Sequence, residues 1–314
     1  MDKKICPSES SSRAVFFESL GWFGTRCARA LLIQAAMRLT EPPHRDQLPD
    51  RPGLLDRATR QRRSVLLKAM TTKFAGHLDP GELDIHFTHM PARYWKQGTQ
   101  KSVARHLELI HEFFLRLNSS DEAGTACIVR WKLLPKSGLT TVEVCTWDRL
   151  GLLAKIASAF AAVGINIVRA DIFTRADHVA LDVFQVAELA GNPVQNEARL
   201  RHMAALLAAA LKPGGAVPAR QAGPKTTGAV AVDFASSQGE NYTMLAVEAP
   251  DRVGLLSDIF TTLADHHVNI AHAIITTENH RAGDVFYLTD DSGLEIPDGE
   301  RRDRLRAAIL ANLN

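Results

Sequence analysis

Two stretches of this chain combine residue types that can form an anion-facing turn at a helix start: Asp148-Arg149-Leu150-Gly151-Leu152-Leu153 and, 103 positions later, Asp251-Arg252-Val253-Gly254-Leu255-Leu256. A glycine between a strand and a helix lets backbone N–H groups, and the partial positive charge of the helix N-terminus, come up to a carboxylate. Asn166 and Asn269 stand at the neighbouring strand entrance, where their side chains and nearby backbone carbonyls offer acceptors beside the turn. Asp148 and Asp251 either contact a ligand or end the strand and cap the helix, since Asp is common at helix starts. Arg149 and Arg252 read as solvated or ion-paired. The candidate ligand-binding set is therefore Asp148, Gly151, Leu152 and Asn166 with Asp251, Gly254, Leu255 and Asn269, although a turn glycine is also demanded by backbone geometry alone.

Other chemistries find little support. Cys6, Cys27, Cys127 and Cys145 show neither CxxC pairing nor metal-ligand spacing and read as reduced thiols. His86 and His89, and His106 and His111, lack a carboxylate or Cys partner at ligand spacing and read as ordinary helix-surface histidines, so no metal and no cofactor is expected. Residues 1–118 carry 19 Lys+Arg against 12 Asp+Glu, and the rest 18 against 23. That basic bias lies in Arg57, Arg60, Arg62 and Arg63, which look like the solvated face of a helix, not a nucleic-acid surface. No secretory signal or spanning helix is predicted, because Val15 to Leu39 is broken by Glu18, Arg26, Arg29 and Arg38. A cytoplasmic protein without nucleic-acid or membrane partners is the expectation.

The elements that position the hexapeptides repeat with them. At the same offset Val144 matches Val247, Ile156 matches Ile259, Asn166 matches Asn269 and Ala170 matches Ala273; Asp182-Val183-Phe184 then matches Asp284-Val285-Phe286 at offset 102. Asp50-Arg51-Pro52-Gly53-Leu54-Leu55 is a decoy, with no strand before it and no Gly-x-Asn-Ile after it. In the first copy, strands are predicted over 125–134 and 139–146, a helix over 152–163 stopped by Gly164, a hairpin over 165–174 and 179–188, a helix over 193–211 and a last strand over 229–234. The second copy reads as strand 243–249, helix 255–266, strands 268–277 and 285–289, and helix 299–313, ending without a fourth strand. It also has His267 where the first copy has Gly164, so it reads as the less complete site.

Ahead of the repeats the chain reads as helical. Leu54 to Phe74 carries Val65, Leu66, Met70 and Phe74 on an apolar stripe, Asp79-Pro80-Gly81-Glu82 opens a helix running to Met90, and residues 100–117 form a third with Val103, Leu107, Ile110, Phe114 and Leu117 on one face. Residues 14–40 are apolar almost all round, which predicts poor packing or burial by self-association, and residues 1–13 read as disordered. The expected division is 1–53 (tail, apolar helix and Pro-rich linker), 54–124 (helical region), 125–238 (first repeat unit) and 239–314 (second).

Two such units, each with Asp-Arg-x-Gly-Leu-Leu before the first helix and Gly/His-x-Asn-Ile entering the second strand, resemble tandem ACT domains, regulatory modules that bind amino acids. With Met90-Pro91-Ala92-Arg93-Tyr94 and His106-Leu107 ahead of them, residues 75–314 resemble the carboxy-terminal region of the bifunctional PII uridylyltransferase/uridylyl-removing enzymes. The resemblance implies an α+β fold, an all-helical amino-terminal region followed by two ferredoxin-like βαββαβ ACT domains, the second lacking its last strand. It implies an amino-acid sensor, by resemblance for glutamine and for nitrogen metabolism, that self-associates through ACT sheets or works with a separate catalytic partner. The sequence departs from the family at Leu150 and Val253, where Pro is usual. Both catalytic signatures are missing, Gly-Ser with Asp-x-Asp and the His-Asp dipeptide, so no enzyme activity of its own is expected. A ligand-free dimerisation scaffold and a truncated fragment of the nucleotidyltransferase/hydrolase are the alternatives.

Overall fold

The computed structural model describes residues 55–119, 126–134, 138–188, 190–219, 228–236, 242–278 and 280–313. The expectations for residues 1–53 fall outside them. The helical region contains α1 (Arg57–Lys73), α2 (Pro80–His89), α3 (Ala92–Gln97) and α4 (Gln100–Ser119). As the sequence predicts, Asp79 caps α2 by accepting from the Gly81 N–H at 2.7 Å, with Pro80 at the first helical position. Of the stripe expected on α1, Leu66, Met70 and Phe74 are buried, whereas Val65 is 54% exposed. The short α3 was not expected from periodicity; its Tyr94 and Trp95 are among the most buried side chains of the chain.

The first repeat comprises β1 (Cys127–Leu134), β2 (Leu139–Trp147), α5 (Leu152–Ala162), β3 (Asn166–Thr174), β4 (Val179–Ala187) and α6 (Glu197–Ala210). The second comprises β5 (Ala231–Ser236), β6 (Thr243–Pro250), α7 (Leu255–Asp265), β7 (Val268–Ile274), β8 (Thr277–Glu278), β9 (Arg281–Asp290) and α8 (Glu300–Leu313). Each builds an antiparallel sheet, in the order β1-β2-β4-β3 and β5-β6-β9-β7, with β8 added on β9.

This order corrects two expectations. Residues 229–234 do not close the first sheet: β5 pairs with β6, Val232 opposite Val247 and Phe234 opposite Leu245. The second sheet is consequently not short of a strand. The place expected for a strand after the last helix is taken in each sheet by a strand before the first, giving ββαββα twice. A hairpin to the next strand closes the edge with a short connection, which suits the preference for neighbouring elements to pair.

One core runs through both repeats. Phe160, Phe184 and Leu200 of the first share it with Phe260, Phe286 and Ile309 of the second, and α5 packs on α7, with the Ser158 and Ser257 hydroxyls 2.7 Å apart. A second core lies on the other face of the first sheet, where Cys145, Phe173, Val179 and Leu181 meet Tyr94, Leu109 and Phe113 of the helical region. Alternate residues of β2 and β4 thus enter different cores, which explains why β2 is buried from Thr140 to Trp147 and β4 at all but Val183 and Gln185. The edge strands β3 and β7 lie next to each other across the seam between the repeats, in separate sheets.

Candidate functional site

Both hexapeptides form the same loop. Gly151 and Gly254 stand immediately before α5 and α7 with φ of 75° and 87°, the left-handed region where a side chain is strained. The aspartates are therefore not helix caps. Instead the N–H of Asp148 donates to the carbonyl of His178 at 2.8 Å, and that of Asp251 to the carbonyl of His280 at 2.9 Å. Both histidines sit at hairpin turns with positive φ, 65° and 60°. His267, at 53°, does take the left-handed conformation that Gly164 has at 68°.

One cleft at the seam is built from both repeats. Its walls include Ile165, Asn166 and Ile167 at the start of β3, the Asp251 and Gly254 loop, the first turn of α7, and Ile275, Thr277 and Asp284. The Asn166 amide donates to the Asp251 carboxylate at 2.9 Å across the repeats. Leu256 and Ser257 bring first-turn N–H groups, which have no intrahelical acceptor. Asp284 is 1% exposed; one carboxylate oxygen accepts from the Thr276 N–H at 3.1 Å and the other has no hydrogen-bond partner. Burial raises its pKa to about 7, the nearby Asp251 adding to the rise. Asp251 is itself raised by burial, against the pull of the Asn166 hydrogen bond. Free space in the cleft amounts to about one water molecule.

Of the candidate positions, Asn166, Asp251, Gly254 and Leu255 meet in this cleft, while Asp148, Gly151, Leu152 and Asn269 are not among its walls. Asn269 donates to the carbonyl of Asp290 at 3.0 Å, and Asp148 accepts from the Thr174 hydroxyl at 3.3 Å. Gly151 faces Ala264, whose methyl lies 3.7 Å from where a Cβ would stand, so its constraint is the backbone angle and not space. Arg252 is ion-paired, with Asp258 at 2.6 Å, and Arg149 donates to the carbonyl of Leu211 at 3.1 Å.

Asp284 and Asp182 escaped the candidate set. The repeated Asp-Val-Phe was the available signal, but a charged residue in an alternating strand reads as the solvent face. Both point instead into the core side, and burial pushes Asp182 well above the usual carboxylate range as well. The histidine reading is also corrected. His86 and His106 are buried, 0% and 5% exposed, not on helix surfaces. The Tyr94 hydroxyl lies 3.2 Å from His86 Nε2 and 2.9 Å from His106 Nδ1, and His106 Nε2 is 3.5 Å from Glu143, which Arg105 also holds. The Tyr94 hydroxyl thus partners one nitrogen of each ring, while His86 Nδ1 and His106 Nε2 are buried without a hydrogen bond. Burial holds the His86 imidazole well below its ordinary pKa, helped by the charge of Arg175. Among the described residues, no three His, Cys, Asp or Glu are placed to hold a metal ion, and no helix is long and apolar enough to cross a membrane.

The ACT-domain family model matches residues 140–202 and 243–309, that is β2 to α6 and β6 to α8. The bifunctional uridylyltransferase/uridylyl-removing enzyme of Gluconobacter oxydans is 32% identical over 234 residues, 70% of this chain and 24% of that protein. That of Caulobacter vibrioides is 32% identical over 214 residues, 66% of this chain and 23% of that protein. Aspartate kinase from Synechocystis superposes with a TM-score of 0.31 and 21% identity, over 49% of this chain and 24% of that one, a likeness too slight to argue from. The chain spans about a quarter of the length of the curated relatives it matches.

Proposed function

We propose, from the premise that this chain carries two ACT domains and is distantly homologous to the bifunctional uridylyltransferase/uridylyl-removing enzymes, that it is an amino-acid-sensing regulatory module of that type, with glutamine as the ligand. The observation that carries the reading is the cleft where Asn166 of one repeat meets Asp251, Gly254 and Asp284 of the other. Its two ends suit the two ends of a zwitterion. First-turn N–H groups of α7 take the carboxylate, and the half-partnered Asp284 with Asp251 takes the ammonium, a charge-assisted pairing in a buried site.

Space for about one water molecule is too little for an amino acid, so in this reading binding widens the seam between the repeats. A ligand that prefers the widened state shifts the chain toward it only by its difference in affinity, typically about 1–3 kcal/mol in coupled sites. The role proposed is sensing, in the cytoplasm, on behalf of a nucleotidyl-transfer or hydrolytic activity that needs residues other than those of the two hexapeptides.

The reading is tested by calorimetric titration of the chain with glutamine, with glutamate and aspartate as controls. Glutamine is expected to bind, and Gly254→Val, which forces a β-branched residue into the left-handed region and the cleft wall, to weaken it by about 100-fold or more. If no amino acid binds at millimolar concentration, or if Gly254→Val binds like the parent, the sensor reading fails and a ligand-free scaffold takes its place.

A further inference from the structure

The repeat relation gives each position on one half of the seam a counterpart on the other. The cleft lies where the start of β3 meets the residues following β7, with Ile275 in its wall. At the offset of 103 the counterpart of Ile275 is Ile172, and that of Asn166 is Asn269; at 102 that of Asp284 is Asp182. The other half is therefore where the end of β3 meets the start of β7.

Where the end of β3 meets β7 stands Arg93, which reaches the seam from the face of the first sheet that the helical region covers. One guanidinium nitrogen donates to the carbonyl of Ala271 on β7 at 2.9 Å, and another donates to the carbonyl of Ile172 on β3. The guanidinium carbon lies 5.4 Å from the centre of the Phe173 ring. Arg93 is delivered from α3, whose Tyr94 and Trp95 are fixed in the second core, and the edge strands of the two sheets hold its guanidinium. Edge-strand carbonyls outside a ladder need donors when buried, and the planar, permanently charged guanidinium supplies two at once. The Arg93 charge also works against the rise that burial and Asp148 impose on the Asp182 carboxyl. Ile275 instead lines the cleft at the first half of the seam.

We propose that Arg93 is an internal stand-in for the ligand in the second of two equivalent seam sites, so that the chain binds one amino acid, at the Asp251 and Asp284 half, while the Asp148 and Asp182 half is held shut from the helical region. The assignment of an amino acid rests on the sensor reading above; the plugging of the seam by a cation from the helices does not. Arg93 in this role is a positioning residue: it sets how many sites are open and ties their state to α3.

Two measurements on the full chain test it. In calorimetry with glutamine the parent is expected to saturate at one site per chain and Arg93→Ala at two, a doubling of stoichiometry that loss of a merely structural contact would not produce. In thermal unfolding, millimolar ethylguanidinium is expected to raise the midpoint of Arg93→Ala, by refilling the seam, and to leave the parent unchanged. A single site in the variant, or an ethylguanidinium response shared by variant and parent, overturns the proposal. If the parent binds no glutamine, the sensor reading has failed and the ethylguanidinium comparison alone decides this one. Arg93→Met, which keeps the stem over Phe173, replaces the alanine variant under the same criteria if the latter does not unfold cooperatively.

Discussion

The two repeats share a loop, a helix start and a buried aspartate, yet they are supported differently. In the first, both sheet faces are covered: Glu143 and Cys145 are 5% and 0% exposed beneath the helical region. Their counterparts in the second, Ala246 and Glu248, are exposed. The helix starts differ too. Arg149 and Lys155 both donate to the last carbonyls of α6, Leu211 and Ala210, the latter at 2.6 Å, where cations suit the negative end of a helix. At the position of Lys155 the second repeat has Asp258, and Arg252 turns inward to pair with it. A repeated motif thus fixes the local loop, while the residues around it decide whether that loop is anchored outward on a neighbour or inward on itself. The inward-anchored loop is the one that lines the cleft.

The largest effect that would break this contrast is expected at the ion pair. Asp258→Ala leaves Arg252, 11% exposed at the side chain, without its carboxylate, and should cost about 3–5 kcal/mol in denaturant unfolding. Lys155→Ala, removing a half-exposed cap of α6, should cost only about 0.3–1 kcal/mol. Equal costs would mean that the two helix starts are anchored alike.

A pH series sharpens the contrast between the buried aspartates. Because burial raises Asp284 from its ordinary 3.8 to about 7, the folded chain holds there a proton that the unfolded chain releases between those values. Its contribution to stability is full at low pH and is lost as pH rises through about 7. Asp284→Asn should therefore gain on the parent across that window, by up to about 4 kcal/mol at its upper end. Glutamine needs the ionised form opposite its ammonium, so parent affinity should fall below pH 7, by at most about tenfold per unit, and the profile should flatten in Asp284→Asn. Asp182→Asn should leave the affinity profile in place; a flattening there as well would make the two halves of the seam equivalent.

A smaller contrast separates the two asparagines. Asn166→Ala removes the amide that spans the repeats to Asp251 and should weaken glutamine binding by about 1–3 kcal/mol. Asn269→Ala, whose amide serves the Asp290 carbonyl, should cost about 1 kcal/mol of folding stability and leave binding unchanged. Reversed results would move the site to the other half of the seam.

Much of this was legible in the residues because it is decided within a few positions of chain. The offset of 103 announced two copies, Gly151 and Gly254 announced tight strand-to-helix turns, Asp79-Pro80 announced a capped helix and Gly164 announced a helix stop, since each depends on the allowed dihedrals and hydrogen bonds of one short segment; that His267 takes the same left-handed conformation as Gly164 is against its residue type and came from the structure. Tertiary structure alone decided which sheet residues 231–236 join, because alternation of period two marks a strand without naming its partner. It alone buried His86 and His106 around Tyr94, turned Asp182 and Asp284 toward the core, and brought Arg93 to carbonyls 79 and 178 positions away along the chain. A side chain's local sequence sets the direction in which it leaves the backbone; what it meets there depends on elements that only the folded chain puts beside it.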